Sequence, residues 1–569
     1  MNETPLPRRR FLSLAAQGAL AGAATLSGAR LILAAPIAKP ANTQEKQLPA
    51  AQRVASKAER PNIVLILADD MGYSDIGCFG SEIATPNIDR LAREGLRCPQ
   101  FYNVARCCPT RAALLSGLYP HQAGIGHMID DYAKDIRARL NSPAYTDHLS
   151  SQCVTLAEVL RGAGYRTLMS GKWHVGRDRP HWPVDRGFDR YYGVIGGASN
   201  YFDPAPNSFA LDDKPLDAGG PGYYTTDAFT DYSLRFLEET RGNKEQPFFL
   251  YQAYTAPHWP LHARREDIAK YRGRYKKGWD VLREERLRRQ IASGISRKEW
   301  EMAPRDARVP AWESEADQDL FDLKMAVYAA QVDRMDQNIG RLLAKLDEMG
   351  VRDNTLVFFL SDNGACAELI HRSREGALPG VRLSFESYGI GWANLGSTPF
   401  RLYKHWTHEG GIATPLIACW PKTIRAGGLR HEPGHVIDIM ATCVDVAGAT
   451  YPTQRNGKAV PAMEGTSLRP LFEGKALQRP TPLFWEHEGN RAVRDGRWKL
   501  VSRFNTGNAW ELYDMEADRT EMHNLASAQP QRVQTMSAQY ESWAKRCGVL
   551  PWEQAEPSRG VAKSSRGKK

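Results

Sequence analysis

Asn62 to Leu67 reads NIVLIL, and Asp69 and Asp70 follow it almost at once. A run of strand length without polar alternation is the pattern of a strand buried on both faces of a parallel sheet. Sheets of that kind bind ligands beyond the carboxyl ends of their strands, which is where the two aspartates fall. The same motif recurs outward along the chain. Leu156 to Gly162 reads as helix, Tyr165 to Met169 as strand, and GKWHVG follows. Pro247 to Tyr254 (PFFLYQAY) reads as a strand ending at Ala256-Pro257-His258, and Thr355 to Leu360 (TLVFFL) as one leading into Ser361-Asp362-Asn363-Gly364. Thr85-Pro86-Asn87 opens a helix that places Ile88, Leu91 and Leu96 on one face, with Gly95 near its end. From Leu323 to Met349, Ala326, Ala329, Val332, Met335, Ile339, Leu342 and Leu346 recur at helical spacing, which is core packing. Strands and helices alternating over this length imply an α/β protein with a doubly wound sheet.

Past about Pro480 the texture changes. PLFWEH, RAVRDGRWKLV and AWELYDM are separated by turn residues, and a helix follows from about Gln529 to Ala544. This reads as a smaller C-terminal antiparallel sheet with a covering helix. The expected limits are 60–480 for the α/β domain, 481–550 for the small sheet and 551–569 for a basic tail. The Arg/Lys-rich stretch from about Leu261 to Asp317 reads as a solvated helical excursion, since charge runs mostly face water.

Tyr102 to His127 reads YNVARCCPTRAALLSGLYPHQAGIGH. Pro109 suits the first turn of a helix that Gly117 ends. Cys107 then stands at the helix N-terminus, where the macrodipole and Arg111 favour an anion. A pair of buried structural thiols is the competing reading. The frame C-x-P-x-R followed by L-x-G resembles the signature of the sulfatases, whose cysteine is oxidised after translation to formylglycine. Cys108 does not fit that frame, because it puts Thr110 where the proline belongs. The resemblance runs from about Arg60 to Leu525, including DGRWKL and ELYDMEADRTEMHNL. CFGSEIATPN and CCPTRAALLSGLYPHQAGIGHM resemble the bacterial arylsulfatases most. The fold it implies is alkaline-phosphatase-like.

Asp69, Asp70, Asp362 and Asn363 offer hard oxygen ligands from two strand ends, which suits Ca²⁺ or Mg²⁺ rather than Zn²⁺. The resemblance implies a Ca²⁺ there that also holds the formylglycine oxygen at position 107. It also implies roles for Lys172 and His174 in GKWHVG, His258 in Ala-Pro-His and Lys404 in RLYKHWTHEGG. His405 and His408 read as structural or pocket-lining. The implied route is covalent: the aldehyde hydrate attacks sulfur, His258 protonates the leaving alcohol, and His174 deprotonates the second hydroxyl to release sulfate. Lys172, Lys404, Arg111 and the metal stabilise the anionic charge. The substrate implied is a small-molecule or glycan sulfate ester. The alternative is a phosphonate monoester or phosphodiester hydrolase of the same superfold, and a silent anion-binding protein ranks third.

The chain has 569 residues, enough for a large domain with a smaller one attached. Its net charge of +10 is concentrated at the two ends, in Arg8, Arg9, Arg10 and Arg30 and in the tail after Pro557. With no aromatic-interleaved basic stripe between them, nucleic acid is excluded as a partner. Residues 1–38 resemble a twin-arginine signal peptide and 39–59 a linker. Export by the twin-arginine translocon, after a formylglycine-generating enzyme has acted, implies a periplasmic or secreted protein. The nine cysteines are scattered without a disulfide framework.

Overall fold

Every side chain from Ile63 to Ala68 has no solvent-accessible surface, and the sheet around them explains why. The structure is a computed structural model that describes residues 60–555 apart from Lys244 and Asn505. The segments expected as signal peptide and linker, and most of the expected basic tail, lie outside the described residues. The strands of the main sheet are β1 (Asn62–Ala68), β2 (Leu96–Tyr102), β3 (Arg166–Gly171), β4 (Arg190–Val194), β5 (Phe209–Leu211), β6 (Lys214–Leu216), β7 (Phe248–Ala253), β8 (Thr355–Ser361), β9 (Ala413–Cys419), β10 (Gly428–Leu429) and β11 (Gly434–His435). They are ordered β10-β2-β9-β8-β1-β7-β3-β4-β5-β6, with β11 also on β2. β8, β1, β7, β3 and β4 are parallel neighbours. β9 runs against both β8 and β2. The sheet is therefore mixed, with the expected parallel centre.

Helices Pro86–Glu94, Thr225–Thr240 and Gln318–Glu348 pack together, and Cys107–Ser116, Leu156–Gly162 and Ile437–Ala447 form a second group. This is the two-sided helical cover that an apolar parallel strand requires. Past the short hairpin β12 (Gln454–Arg455) and β13 (Lys458–Ala459), the strands β14 (Leu483–His487), β15 (Asn490–Asp495), β16 (Trp498–Ser502) and β17 (Trp510–Asp514) form an antiparallel meander. Helix Pro530–Cys547 lies on it, with Trp543 stacked on Phe484 at 5.3 Å between ring centroids. The meander is tied to the end of β2 by Trp485 Nε1, which donates to Asn103 O at 2.8 Å. Among the described residues, no helix is long and apolar enough to cross a membrane.

Two expectations need correction. Leu96 is not on the face of the first helix: that helix ends at Glu94, and Leu96 is the first residue of β2. β2 itself was hidden by Pro99, which sits where the pairing with β9 shifts register between Cys98 and Phe101. An irregularity of this kind tolerates a residue without a backbone donor.

The charged insertion is not simply a solvated excursion. Tyr271, Tyr275, Trp279, Leu282 and Trp312 from this stretch build a second apolar core with Met325 to Val332 and Trp392. Arg283 and Arg286 are buried with it. Arg286 pairs with Asp75 at 2.5 Å and with Glu82 at 2.8 Å, and also donates to Ser74 Oγ at 3.0 Å. The helix Trp279–Ala292 thus presents charge inward as well as outward, and a run of charges does not reveal which residues are paired inside.

Candidate active site

β1, β2, β3, β7 and β8 all end at one edge of the sheet, and antiparallel β9 begins there. Asp69 and Asp70 leave β1, Lys172 and His174 leave β3, His258 leaves β7, and Asp362 and Asn363 leave β8. Lys404 arrives just before β9 because that strand runs the other way. The topology alone therefore gathers all ten predicted residues, which lie up to 335 positions apart in sequence. All are buried.

Cys107 is the first residue of helix Cys107–Ser116, as the Pro109 reading requires. Thr110 Oγ1 accepts the Val104 N–H at 2.9 Å and fixes the approach of the chain. Gly117 closes the helix at φ 69° in the left-handed region, where an added Cβ would also lie 2.6 Å from Met440. Cys107 Sγ lies 3.4 Å from Asn363 Oδ1, 3.6 Å from Asp69 Oδ1 and 3.9 Å from Asp70 Oδ1. Burial pushes its thiol well above the ordinary value, against the pull of Lys172 and Lys404.

The cations are held by the same carboxylates. Lys172 Nζ is 2.7 Å from Asp69 Oδ2, and Lys404 Nζ is 2.8 Å from Asp70 Oδ1. Burial disfavours both ammonium groups, but Asp69 and Asp70 overcome it and keep them protonated. Arg111 donates to Asp362 Oδ2 through Nε at 3.1 Å and Nη2 at 2.8 Å, and to Lys172 O through Nη1 at 3.0 Å. Its donors are thus spent on positioning. Asn363 Nδ2 donates to Asp70 Oδ1 at 2.7 Å. Asp70 adopts φ 65°, a backbone strain that a non-glycine residue rarely accepts away from a functional site. Burial raises Asp70, but Lys404 and His258 outweigh it and hold the carboxyl below its usual range. Asp362, pressed by burial and then by Asp69, is pushed up to about 6.

Four oxygen donors thus converge beside Cys107, three of them from buried carboxylates crowded together, and Asp69, Asp70, Cys107 and His258 form a cluster with metal-ligand spacing. The residues fit a hard divalent cation. Asp69, Asp70 and Asp362 balance Arg111, Lys172 and Lys404 in charge. A divalent cation would therefore leave the site positive and complementary to a bound monoanion.

His174 and His258 are each pushed down to about 4 by burial, with Asp130 and Asp70 respectively opposing. His258 Nδ1 is 2.5 Å from Trp259 O, so its neutral-state proton sits there, and Nε2 is 3.4 Å from Asp70 Oδ2. His174 Nε2 is 3.0 Å from Asp130 Oδ2, and its buried Nδ1 has no protein hydrogen-bond partner. Asp130 was missed from sequence, because Asp130, Asp131 and Asp135 look alike before folding. Glu368 was missed too. It pairs with Arg106 at 2.9 Å and accepts from Trp259 Nε1 at 2.8 Å at the rim. His405 faces Glu488 at 2.9 Å and His408 faces Glu511 at 3.5 Å, neither on the cysteine cluster.

Comparison with known proteins gives a consistent result. The family described as Sulfatase matches residues 61–449, and that described as N-sulphoglucosamine sulphohydrolase, C-terminal, matches residues 400–542. An uncharacterized sulfatase of Schizosaccharomyces pombe is 34% identical over 87% of this chain and 95% of its own length. The arylsulfatase of Klebsiella aerogenes is 33% identical, covering 75% of this chain and 96% of its own. The crystal structure of Ps i-CgsB in complex with k-i-k-neocarrahexaose aligns with a TM-score of 0.62 at 27% identity, over 85% of this chain and 93% of that one.

Proposed function

The chain belongs to the sulfatase family, and from that premise we propose that it hydrolyses sulfate monoesters at the cluster around Cys107, with formylglycine at that position and one Ca²⁺ or Mg²⁺ beside it. The observation that carries this is the placement of Cys107 Sγ at a helix N-terminus, 3.4 to 3.9 Å from three oxygen donors. When present, the cation offsets the sulfate charge, and the aldehyde hydrate supplies the second hydroxyl that a serine or cysteine lacks.

The side chains of the chain divide the remaining work. Lys172 and Lys404, kept protonated by Asp69 and Asp70, face the anionic sulfate and strengthen as charge builds on its oxygens. Arg111 locks Asp362 in place. His174 presents Nδ1 as proton acceptor while Asp130 holds the proton on Nε2. His258 can donate from Nε2 only as an imidazolium, and an arriving anion raises its affinity for that proton.

The substrate class is a small-molecule or glycan sulfate ester, supported by the names of the relatives, an arylsulfatase and a structure solved with an oligosaccharide. Maturation would need a formylglycine-generating enzyme and export, directed by the arginine run Arg8 to Arg10, to a periplasmic or secreted location.

The test joins two measurements. Mass spectrometry of active protein finds an aldehyde in place of the Cys107 thiol, and Cys107→Ala abolishes turnover while the melting profile is retained. Full activity with an unmodified thiol would refute the assignment. Steady-state rates on matched nitrophenyl sulfate, phosphate monoester and phosphodiester favour the sulfate. A diester hydrolysed more efficiently would move the protein to the phosphonate and phosphodiester hydrolases.

A further inference from the structure

Beside the cysteine helix lies a second cluster that the proposed reaction does not use. We infer that His127, His487 and Glu488, braced by His405, form a separate cation site for a transition metal of the Zn²⁺ class.

His127 and His487 are 1% and 0% exposed, and both ring nitrogens of each have no protein hydrogen-bond partner. Burying an unsatisfied polar nitrogen costs about 1–3 kcal/mol, so the one nitrogen of each ring that faces the same carboxylate, His127 Nδ1 and His487 Nε2, calls for a shared ligand. The two rings lie 5.9 Å apart with planes 33° from parallel. Both converge on one carboxylate oxygen: His127 Nδ1 is 3.3 Å and His487 Nε2 is 3.4 Å from Glu488 Oε1. In a tetrahedral zinc site with metal–ligand bonds near 2.0 Å, neighbouring ligand atoms stand about 3.3 Å apart. Two of the three ligand-to-ligand distances are therefore already the edge length that such an ion demands, and all three atoms lie within 4.8 Å of one another.

His405 Nδ1 sits 2.9 Å from Glu488 Oε2, the oxygen that the other two histidines leave free. A histidine bonded to the second oxygen of a ligating carboxylate orients it toward the metal.

Two imidazoles and a carboxylate are a borderline donor set, unlike the all-oxygen set around Asp69, so the two sites select different ions. The site would join the β14–β15 turn to the loop after the cysteine helix. Through His405, whose N–H donates to Ala105 O at 2.8 Å, it also reaches the segment just before Cys107.

The experiment uses the mature full-length protein, stripped with chelator and then held in saturating Ca²⁺ while Zn²⁺ is titrated by calorimetry. One equivalent of Zn²⁺ binds at micromolar concentration or tighter, and Co²⁺ in its place gives the visible absorption of a tetrahedral ion. Glu488→Gln, which keeps the shape of the side chain, and His487→Ala each lose at least tenfold in Zn²⁺ affinity, and His405→Ala loses about 10- to 100-fold. Protein without zinc serves as the folding control, since Glu488→Gln melts with the parent in that state. No stoichiometric binding, displacement of zinc by Ca²⁺, or unchanged affinity in Glu488→Gln overturns the proposal.

Discussion

Asp130→Asn tests how His174 is made into a base. His174 is pulled down to about 4 by burial, and Asp130 is the main group that opposes this. The carboxylate accepts from Nε2 at 3.0 Å and so leaves Nδ1 as the unpaired nitrogen. Replacing it by an amide exchanges a charge-assisted hydrogen bond of about 1.5–3 kcal/mol for a neutral one of about 0.5–1.5 kcal/mol. The loss is about 1–1.5 kcal/mol, or roughly 5- to 15-fold in kcat/KM at 1.36 kcal/mol per decade. The pH profile separates this from general damage. Activity requires neutral His174, whose proton affinity sets the acid limb of kcat/KM near 4 in the parent, while His258, which must carry its proton, sets the alkaline limb. Without the carboxylate the imidazolium is harder to form, and the limb moves to lower pH while the plateau falls. Rates on nitrophenyl sulfate across the acid range give both quantities. A plateau within twofold of the parent together with an unmoved limb would refute the role of Asp130.

Three further outcomes are expected. Elemental analysis finds about one tightly held Ca²⁺ or Mg²⁺ per chain on the oxygen set, and its removal lowers the melting temperature, because an ion held only by the folded chain stabilises it; zinc alone, with no alkaline-earth ion, contradicts this. Arg286→Ala strands the buried carboxylate of Asp75 and lowers stability by about 3–5 kcal/mol in denaturant melts; a change under 1 kcal/mol would show the pair to be dispensable. His262, fully buried and held at about 4, differs from an unfolded value near 6.5, so the unfolded chain binds the extra proton between them. Its stability contribution is complete above about 6.5 and falls by roughly 3 kcal/mol as pH drops to 4; His262→Gln should flatten that slope, and an unchanged slope refutes the assignment.

The parallel centre of the sheet was legible because burial on both faces leaves only one sequence pattern, as in NIVLIL and TLVFFL. β2 was not, because LRCPQFY carries a proline whose cost is cancelled only by the register shift against β9. The Arg286 environment was hidden for a different reason. Pairing with Asp75 and Glu82 is a tertiary event over about 200 positions, and KYRGRYKKGWDVLREERLRRQ looks the same whether its charges face water or each other.

The candidate cluster was readable because its residues follow or precede a strand or, for Cys107 and Arg111, open the helix after β2, so local frames carry nearly all the information: Asp69 and Asp70 need only β1, and Lys172 only β3. Asp130 has no such frame. It lies in a loop with Asp131 beside it, and its distinction is that His174, at φ 57° after β3, turns Nε2 toward it. The same holds for His127 and His405, which lie in two distant loops, and for His487 at the last position of β14, all of which resemble ordinary surface histidines in sequence. Residues that strands deliver are visible in one dimension. Those that loops bring together become visible only once the chain is folded: among the described residues several histidines keep a buried nitrogen without a partner, His174 among them, but only His127 and His487 keep both.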